Sequence, residues 1–373
     1  MPRVSLTFLW EIPARTAPIF SVFIPFFGCP RRCVFCSQHD QTGQQASPLD
    51  EILARAAADL RARHQQGRPP VELAFYGGTF TALAPRDMDA CLDMADSLLH
   101  EGCITRFRCS TRPDSLDTAL LARLRRHGCH TVELGIQSFS DTALQASERH
   151  YSGRQAAEAC RLVRGAGLAL GVQLLPGMPG HQPEDFLTDV RRALALGADM
   201  LRFYPCLVLA GTELARRWQQ GLYTPWPLPL TLSLLARGWL DARRAGVPVI
   251  RMGLAPEPGM EAALLAGPVD RSLGGRVLGR ALWLHVCACL LRAQGDEAAR
   301  SGIRAAALLD ALLAGGGAHA GLPRARALYL PRACQGFFRG PGDELGQAWK
   351  ALGITRRNLA WTAGQAACLH LDA

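Results

Sequence analysis

Three cysteines within eight residues, Cys29, Cys33 and Cys36, constrain this chain more than any other feature of its sequence. Their C-x3-C-x2-C spacing lets a tight loop turn three thiolates toward one point, and soft thiolates select zinc or iron–sulfur clusters. Gly28 and Pro30 favour a bent, exposed backbone there. With a 4Fe–4S cluster, three cysteines leave one iron without a protein ligand, and a substrate or cofactor would bind that iron directly. With zinc, His39 would complete a Cys3His set. Structural zinc sites usually pair two ligand-bearing arms, however, whereas these four residues share one short segment. The other cysteines of the 13 are scattered, as small hydrophobes are in a reducing compartment. Cys287 and Cys289, two apart in a helical stretch, would point to different faces and share no metal.

Strand-like and helix-like segments alternate through the first two thirds of the chain. Short segments rich in Val, Ile, Leu or aromatics predict strands at 19–25, 71–76, 105–110, 131–136, 168–174, 200–204 and 248–251. Helical periodicity predicts helices over 49–64, 87–100, 115–127, 155–166, 183–196 and 230–245. Gly102, Gly128, Gly167, Gly197 and Gly246 stand where a glycine usually stops a helix. Regular βα alternation implies a parallel sheet with helices outside, open or closed into a full or partial barrel. Active sites in such folds gather where strands end and loops begin. Polar or glycine clusters fall at those points: Gly28–Cys36, Gly77–Phe80, Ser110–Pro113, Gln137–Ser138 and Gln173–Gly180 follow the first five strands. A zinc loop would need none of the later ones.

After about Pro256 the chain becomes rich in Ala, Leu, Gly and Arg, with mainly helical periodicity such as Ala298–Leu313. This predicts a core domain over 1–255 and a smaller helical extension over 256–373. Apolar content of 49% and charged content of 20% are those of an ordinary globular protein. The longest apolar run, Ala281 to Leu291, is interrupted by His285 and too short to span a bilayer. No signal-peptide core follows the N-terminus, so the expectation is a cytoplasmic protein with no membrane partner. The net charge is +9, but it is spread over both halves, and Lys350 is the one lysine. That balance permits RNA binding without indicating it.

The sequence around the cysteines, Ile24-Pro-Phe-Phe-Gly-Cys-Pro-Arg-Arg-Cys-Val-Phe-Cys36, resembles the radical S-adenosylmethionine (radical SAM) superfamily. Further marks are Phe75-Tyr-Gly-Gly-Thr-Phe80, Val132-Glu-Leu-Gly-Ile-Gln-Ser-Phe139, Gly171-Val-Gln-Leu-Leu-Pro-Gly-Met-Pro-Gly180, Arg202-Phe-Tyr-Pro205 and Gly211-Thr-Glu-Leu214. Within the superfamily the chain is similar to the branch shared by the catalytic subunit of Elongator and oxygen-independent coproporphyrinogen oxidase. The likeness covers about Phe20 to Arg251. It implies an α/β fold, a partial (β/α)6 barrel, followed by the mainly helical extension. It also implies that the three cysteines hold a 4Fe–4S cluster whose open iron binds S-adenosylmethionine. An electron from a reducing partner such as flavodoxin or ferredoxin would then break the bond to C5′, and the adenosyl radical would abstract a hydrogen from substrate.

The resemblance also implies site residues. Phe35 would pack near the adenine. Gly77, Gly78 and Thr79 would let the backbone approach the methionine amino group. Gln137 and Gln173 would contact the nucleoside, and Arg149 the methionine carboxylate. Ser110 stands where many relatives have a glutamate. Tyr204, ending the sixth strand, would face the substrate. Each has a structural alternative: a Gly-Gly pair can be a plain turn, Gln173 can satisfy buried backbone groups, Arg149 can be solvated and Phe35 can be core.

Three functional readings follow. The enzyme modifies RNA such as tRNA, it acts on a small molecule, or the chain is a non-catalytic iron–sulfur or zinc protein. The string Arg276-Val-Leu-Gly279-Arg-Ala281 echoes an acetyltransferase motif, but no strand pattern precedes it, so no acetyltransferase domain is expected.

Overall fold

The structure is a computed structural model and describes residues 4–10, 18–37, 47–254, 258–315, 324–364 and 366–371. His39, the candidate fourth zinc ligand, lies outside them. The chain divides into two compact units. One comprises Arg15–Thr231 and Asp241–Arg271; the other comprises Met1–Ala14, Leu232–Leu240 and Ser272–Ala373.

The strands in chain order are β1 (Val4–Leu9), β2 (Ile19–Phe23), β3 (Val71–Tyr76), β4 (Ile104–Thr111), β5 (Cys129–Gln137), β6 (Ala169–Leu174), β7 (Met200–Phe203), β8 (Val208–Leu209), β9 (Val249–Met252), β10 (Leu264–Ala266), β11 (Ala325–Pro331), β12 (Leu359–Thr362) and β13 (Ala366–Leu371). In the first unit, β2-β3-β4-β5-β6-β7-β9 form one seven-stranded sheet, and every neighbouring pair runs parallel. Helices join the successive strands, so this is the α/β partial barrel that the alternation predicts. All seven strands stand where the sequence places them, and the sheet continues past the sixth, β7, to β9.

Every residue of β3 is buried, as befits a strand covered on both sides. Phe75 stacks on Phe80 at 4.9 Å between ring centres. The five glycines expected to stop helices all have positive φ, between 71° and 85°. Ser152 caps the helix Gly153–Gly165 with a reciprocal capping box through Gln155.

The second unit holds helices, as expected, and also a four-stranded sheet of order β1-β13-β11-β12. Its strands escape sequence reading because β13 (AACLHL) has low strand propensity and its partner β1 lies at the opposite end of the chain. That pairing also gathers the N-terminal strand with the tail, so the units do not divide at a single point near residue 256.

The helix Leu273–Ala293 is 21 residues long, enough by length and composition to cross a bilayer. The helix is longer than the run Ala281–Leu291 because it starts eight residues earlier. Most of it is buried inside the fold. Its Arg276 and Arg280 both pair with Glu344, at 2.5 and 2.7 Å. In the acetyltransferase-like string, a Cβ on Gly279 would lie 2.4 Å from the Phe337 carbonyl oxygen, so this glycine serves close packing.

Candidate active site

One cavity opens at the C-terminal ends of the barrel strands. Cys29, Cys33 and Cys36 line it from the loop after β2. Phe35 lines it beside them, and Gly77, Gly78 and Thr79 line it after β3. Ser110, Gln137, Arg149, Gln173 and Tyr204 complete the predicted set. These twelve residues therefore meet at one place, although they span 176 positions of the chain, Cys29 to Tyr204.

The cysteine loop is fixed by its neighbours. Val34 is buried, and its carbonyl accepts the Leu214 amide at 2.8 Å. The Thr79 amide donates to the Phe27 carbonyl at 2.8 Å, and the Thr79 hydroxyl lies 3.3 Å from the Cys29 sulfur. Gly78 makes this approach possible: its φ is +58°, and a Cβ there would sit 2.2 Å from the Phe27 oxygen. The pressure toward glycine at 78 thus comes from the cysteine-loop backbone, not only from a ligand. Burial pushes the Cys29 thiol up, while the Thr79 hydroxyl and the Arg112 and Arg149 charges pull the other way.

Arg149 is 4% exposed. It donates to the Cys33 sulfur at 2.8 Å, to the Gly135 carbonyl at 2.7 Å and to the Tyr151 hydroxyl at 2.9 Å. No carboxylate is among these partners. The residues on either side, Glu148 and His150, have positive φ of 54° and 58°, a conformation held only where packing enforces it. Arg112 is a second buried guanidinium, 3.6 Å from the same sulfur and paired with Asp114 at 2.8 Å. Gln137 ends β5 with φ +66°, and its side-chain oxygen accepts from Gln173 at 3.3 Å.

At the β7 side, Glu133 accepts from Tyr76 at 3.0 Å, from Arg108 at 3.1 Å and from Arg202 at 2.5 Å. Arg108 also reaches Glu72 at 2.6 Å. Arg202 donates to the Tyr204 hydroxyl and lies over the Tyr76 and Tyr204 rings, 4.9 and 5.1 Å from their centres. Burial raises both phenols, so both stay protonated at neutral pH. Glu133 is locked by three donors and does not fit the part of a general base.

Sequence reasoning missed Arg112, Glu133 and Arg202 as site residues. The signal was strand alternation. Arg108, Ser110 and Arg112 share one face of β4 and its extension, as do Glu133, Gly135 and Gln137 on β5 and Arg202 and Tyr204 on β7.

These residues suit an iron–sulfur cluster. A mononuclear zinc needs its thiolates within about 2.3 Å of one atom. Among the described residues, no three His, Cys, Asp or Glu side chains are placed to share one ion. A cubane cluster offers each thiolate a separate iron, so its cysteines need not converge so closely. The buried Arg149, with a sulfur and no carboxylate beside it, fits an anionic ligand set.

Two family models match the chain. One, described as the Radical SAM superfamily, covers residues 23–193, and one, described as the Radical_SAM C-terminal domain, covers residues 198–277. A tRNA uridine(34) acetyltransferase of Dehalococcoides mccartyi is 31% identical over 241 residues, which is 56% of this chain and 52% of that protein. The heme chaperone HemW of Escherichia coli is 25% identical over 203 residues, 54% of each chain. The solved structure of archaeal Methanocaldococcus infernus Elp3 aligns with a TM-score of 0.54 at 20% identity, over 71% of this chain and 62% of that one, a likeness of fold. The chain spans about half the length of the curated relatives it matches.

Proposed function

The chain belongs to the radical SAM superfamily, and on that premise we propose that it is an enzyme using a 4Fe–4S cluster and S-adenosylmethionine to take hydrogen from a substrate. The observation that carries this reading is Arg149, a buried guanidinium aimed at the Cys33 sulfur and, among the described residues, with no carboxylate partner. Isolated buried charge is costly, so such a residue calls for an anionic partner.

When bound, the two cofactors supply the electron and the 5′-deoxyadenosyl radical that attacks a C–H bond. The protein's part is to hold and shield them. Cys29, Cys33 and Cys36 would hold the cluster, with the Thr79 hydroxyl beside Cys29. Arg149, beside the Cys33 sulfur, would offer its charge to the methionine carboxylate. Phe35, Gln137 and Gln173 would contact the nucleoside, and Gly77 and Gly78 keep the β3 loop close. Tyr204 is turned by Arg202 so that its own O–H is free to donate to a substrate oxygen. A small electron carrier such as flavodoxin or ferredoxin would supply the reductant.

The acetyltransferase relatives, named for tRNA, support an RNA substrate. The heme chaperone relatives support a second reading, in which the same cavity holds its cofactors without turnover.

Anaerobic reconstitution, reduction and addition of S-adenosylmethionine test the first reading. It predicts 5′-deoxyadenosine above a no-protein control; a loaded chain that forms none would reduce the protein to a cofactor carrier. Titration with bulk tRNA at several salt concentrations tests the RNA substrate. A steep fall in affinity with salt is expected from phosphate contacts, and no binding at low salt would leave the small-molecule substrate.

A further inference from the structure

Below the two glutamine-bearing loops lies a buried pair that the proposed chemistry does not use. Asp189, on the helix Pro183–Ala195, is 2% exposed, and the His181 side chain beside it is fully buried. One carboxylate oxygen of Asp189 accepts the Phe139 amide at 2.8 Å. The other lies 3.1 Å from Nε2 of His181. Nδ1 of His181 accepts the Gly177 amide at 3.3 Å. An amide N–H can only donate, so Nδ1 is bare and Nε2 carries the proton that it donates to Asp189. The ring is held flat against Trp226, 5.5 Å between centres and 16° between planes. The Gly177 carbonyl is held in turn by the Tyr223 hydroxyl at 2.7 Å.

Phe139 lies two residues beyond the strained Gln137, in the loop after β5. Gly177 lies four residues beyond Gln173, in the loop after β6. The strand ends themselves are joined by the Leu175 amide on the Gln137 carbonyl at 2.8 Å. One carboxylate therefore ties both loops, the first directly and the second through His181, while both glutamines line the cavity. No Arg or Lys pairs with Asp189 among the described residues. A carboxylate buried with one amide and one imidazole is costly to keep for stability alone.

We propose that Asp189 and His181 are positioning residues: together they set the spacing of Gln137 and Gln173 and so the affinity for the nucleoside part of S-adenosylmethionine. This rests on the proposed function for the identity of the ligand, while the clamp itself rests on the hydrogen bonds. A small displacement at such a site has a large effect because the ligand contacts require fixed geometry.

The test uses the full chain, anaerobically reconstituted, and three readouts: iron per chain, equilibrium affinity for S-adenosylmethionine, and amide hydrogen exchange of peptides spanning 138–141 and 175–179. Asp189→Asn presents an NH2 group to one of its two partners. It should speed exchange in both peptides, weaken S-adenosylmethionine binding by about tenfold and leave iron content unchanged. His181→Gln keeps a donor near the Nε2 position but loses the acceptor for Gly177. It should speed exchange in the second peptide alone and weaken binding by less. If Asp189→Asn fails to fold, His181→Gln decides the matter. Unchanged exchange in both loops would overturn the clamp. Faster exchange with unchanged affinity would overturn its role in positioning. A loaded, unaltered chain that does not bind S-adenosylmethionine would instead sink the proposed function, with the exchange arm still deciding the clamp.

Discussion

Two buried arginines, Arg280 in the second unit and Arg149 in the barrel unit, are held in opposite ways. In the second unit, buried Arg280 and half-buried Arg276 share Glu344, so the buried charge has a carboxylate partner. In the barrel unit, Arg149 is as deeply buried as Arg280 yet faces a cysteine sulfur and backbone carbonyls. Backbone strain divides the same way. Among the described residues, five other than glycine have positive φ: Phe26 and Gln137 line the barrel cavity, Glu148 and His150 flank Arg149 in the chain, and Asp343 alone is in the second unit. Strain and unbalanced charge persist where something beyond folding requires them. The barrel unit carries both, whereas in the second unit Arg276 and Arg280 are paired and Asp343 is the one such strained residue among those described.

Substitutions can break this contrast. The largest effect is expected from Cys33→Ala, which should abolish both the cluster and 5′-deoxyadenosine formation while the thermal transition stays; a variant retaining iron and product would refute the ligand set. Next comes Glu344→Gln, which leaves Arg280 buried without a counter-charge and should cost about 3 kcal/mol in denaturant unfolding, with iron content untouched. Burial pushes the Glu344 carboxyl up, but Arg280 and Arg276 outweigh it and hold it below the usual value of 4.5. A depressed carboxylate stabilises the fold above its unfolded pKa, and that contribution is lost as pH falls through the folded one. The gap between Glu344→Gln and the parent should therefore be full at pH 7 and close progressively below about 4.5. An unchanging gap would show that packing, not charge, is lost.

Gly78→Ala sharpens the barrel side. The added methyl meets the Phe27 oxygen in a conformation alanine disfavours, at a cost on the order of 2 kcal/mol. Because that strain falls on the cysteine loop, iron per chain should drop along with stability, and full iron loading would refute the loop-to-loop contact. The smallest effect belongs to Arg149→Lys, which keeps the charge and loses the fork of donors. It should weaken S-adenosylmethionine binding about tenfold, or about 1.4 kcal/mol, with the cluster kept; equal affinity would assign Arg149 a purely structural role.

How much of this was legible beforehand differs between the units as well. In the barrel, the seven strands of the parallel sheet and the long helices between them declare themselves locally, because composition and hydrophobic period repeat within a few residues; the short strands β8 and β10 and the short helices do not. The second unit hides its sheet: β1 and β13 pair antiparallel, with Val4 opposite Leu371, and nothing near either segment marks the other. In the site, cysteine spacing and the glycine pair were readable because both are local. Arg112, Glu133 and Arg202 went unread, since an arginine or glutamate in a strand looks the same whether it faces solvent or a cavity.

What the sequence by itself determined is the cysteine triplet, the alternating elements and the positions where strands give way to polar loops. These depend on spacing and period, which act over a few residues. Only the tertiary structure decided that Arg149, 116 residues after Cys33, points at that sulfur and that Glu133 gathers Tyr76, Arg108 and Arg202. Those contacts depend on strand register and loop path across the whole sheet, which no short stretch of chain encodes.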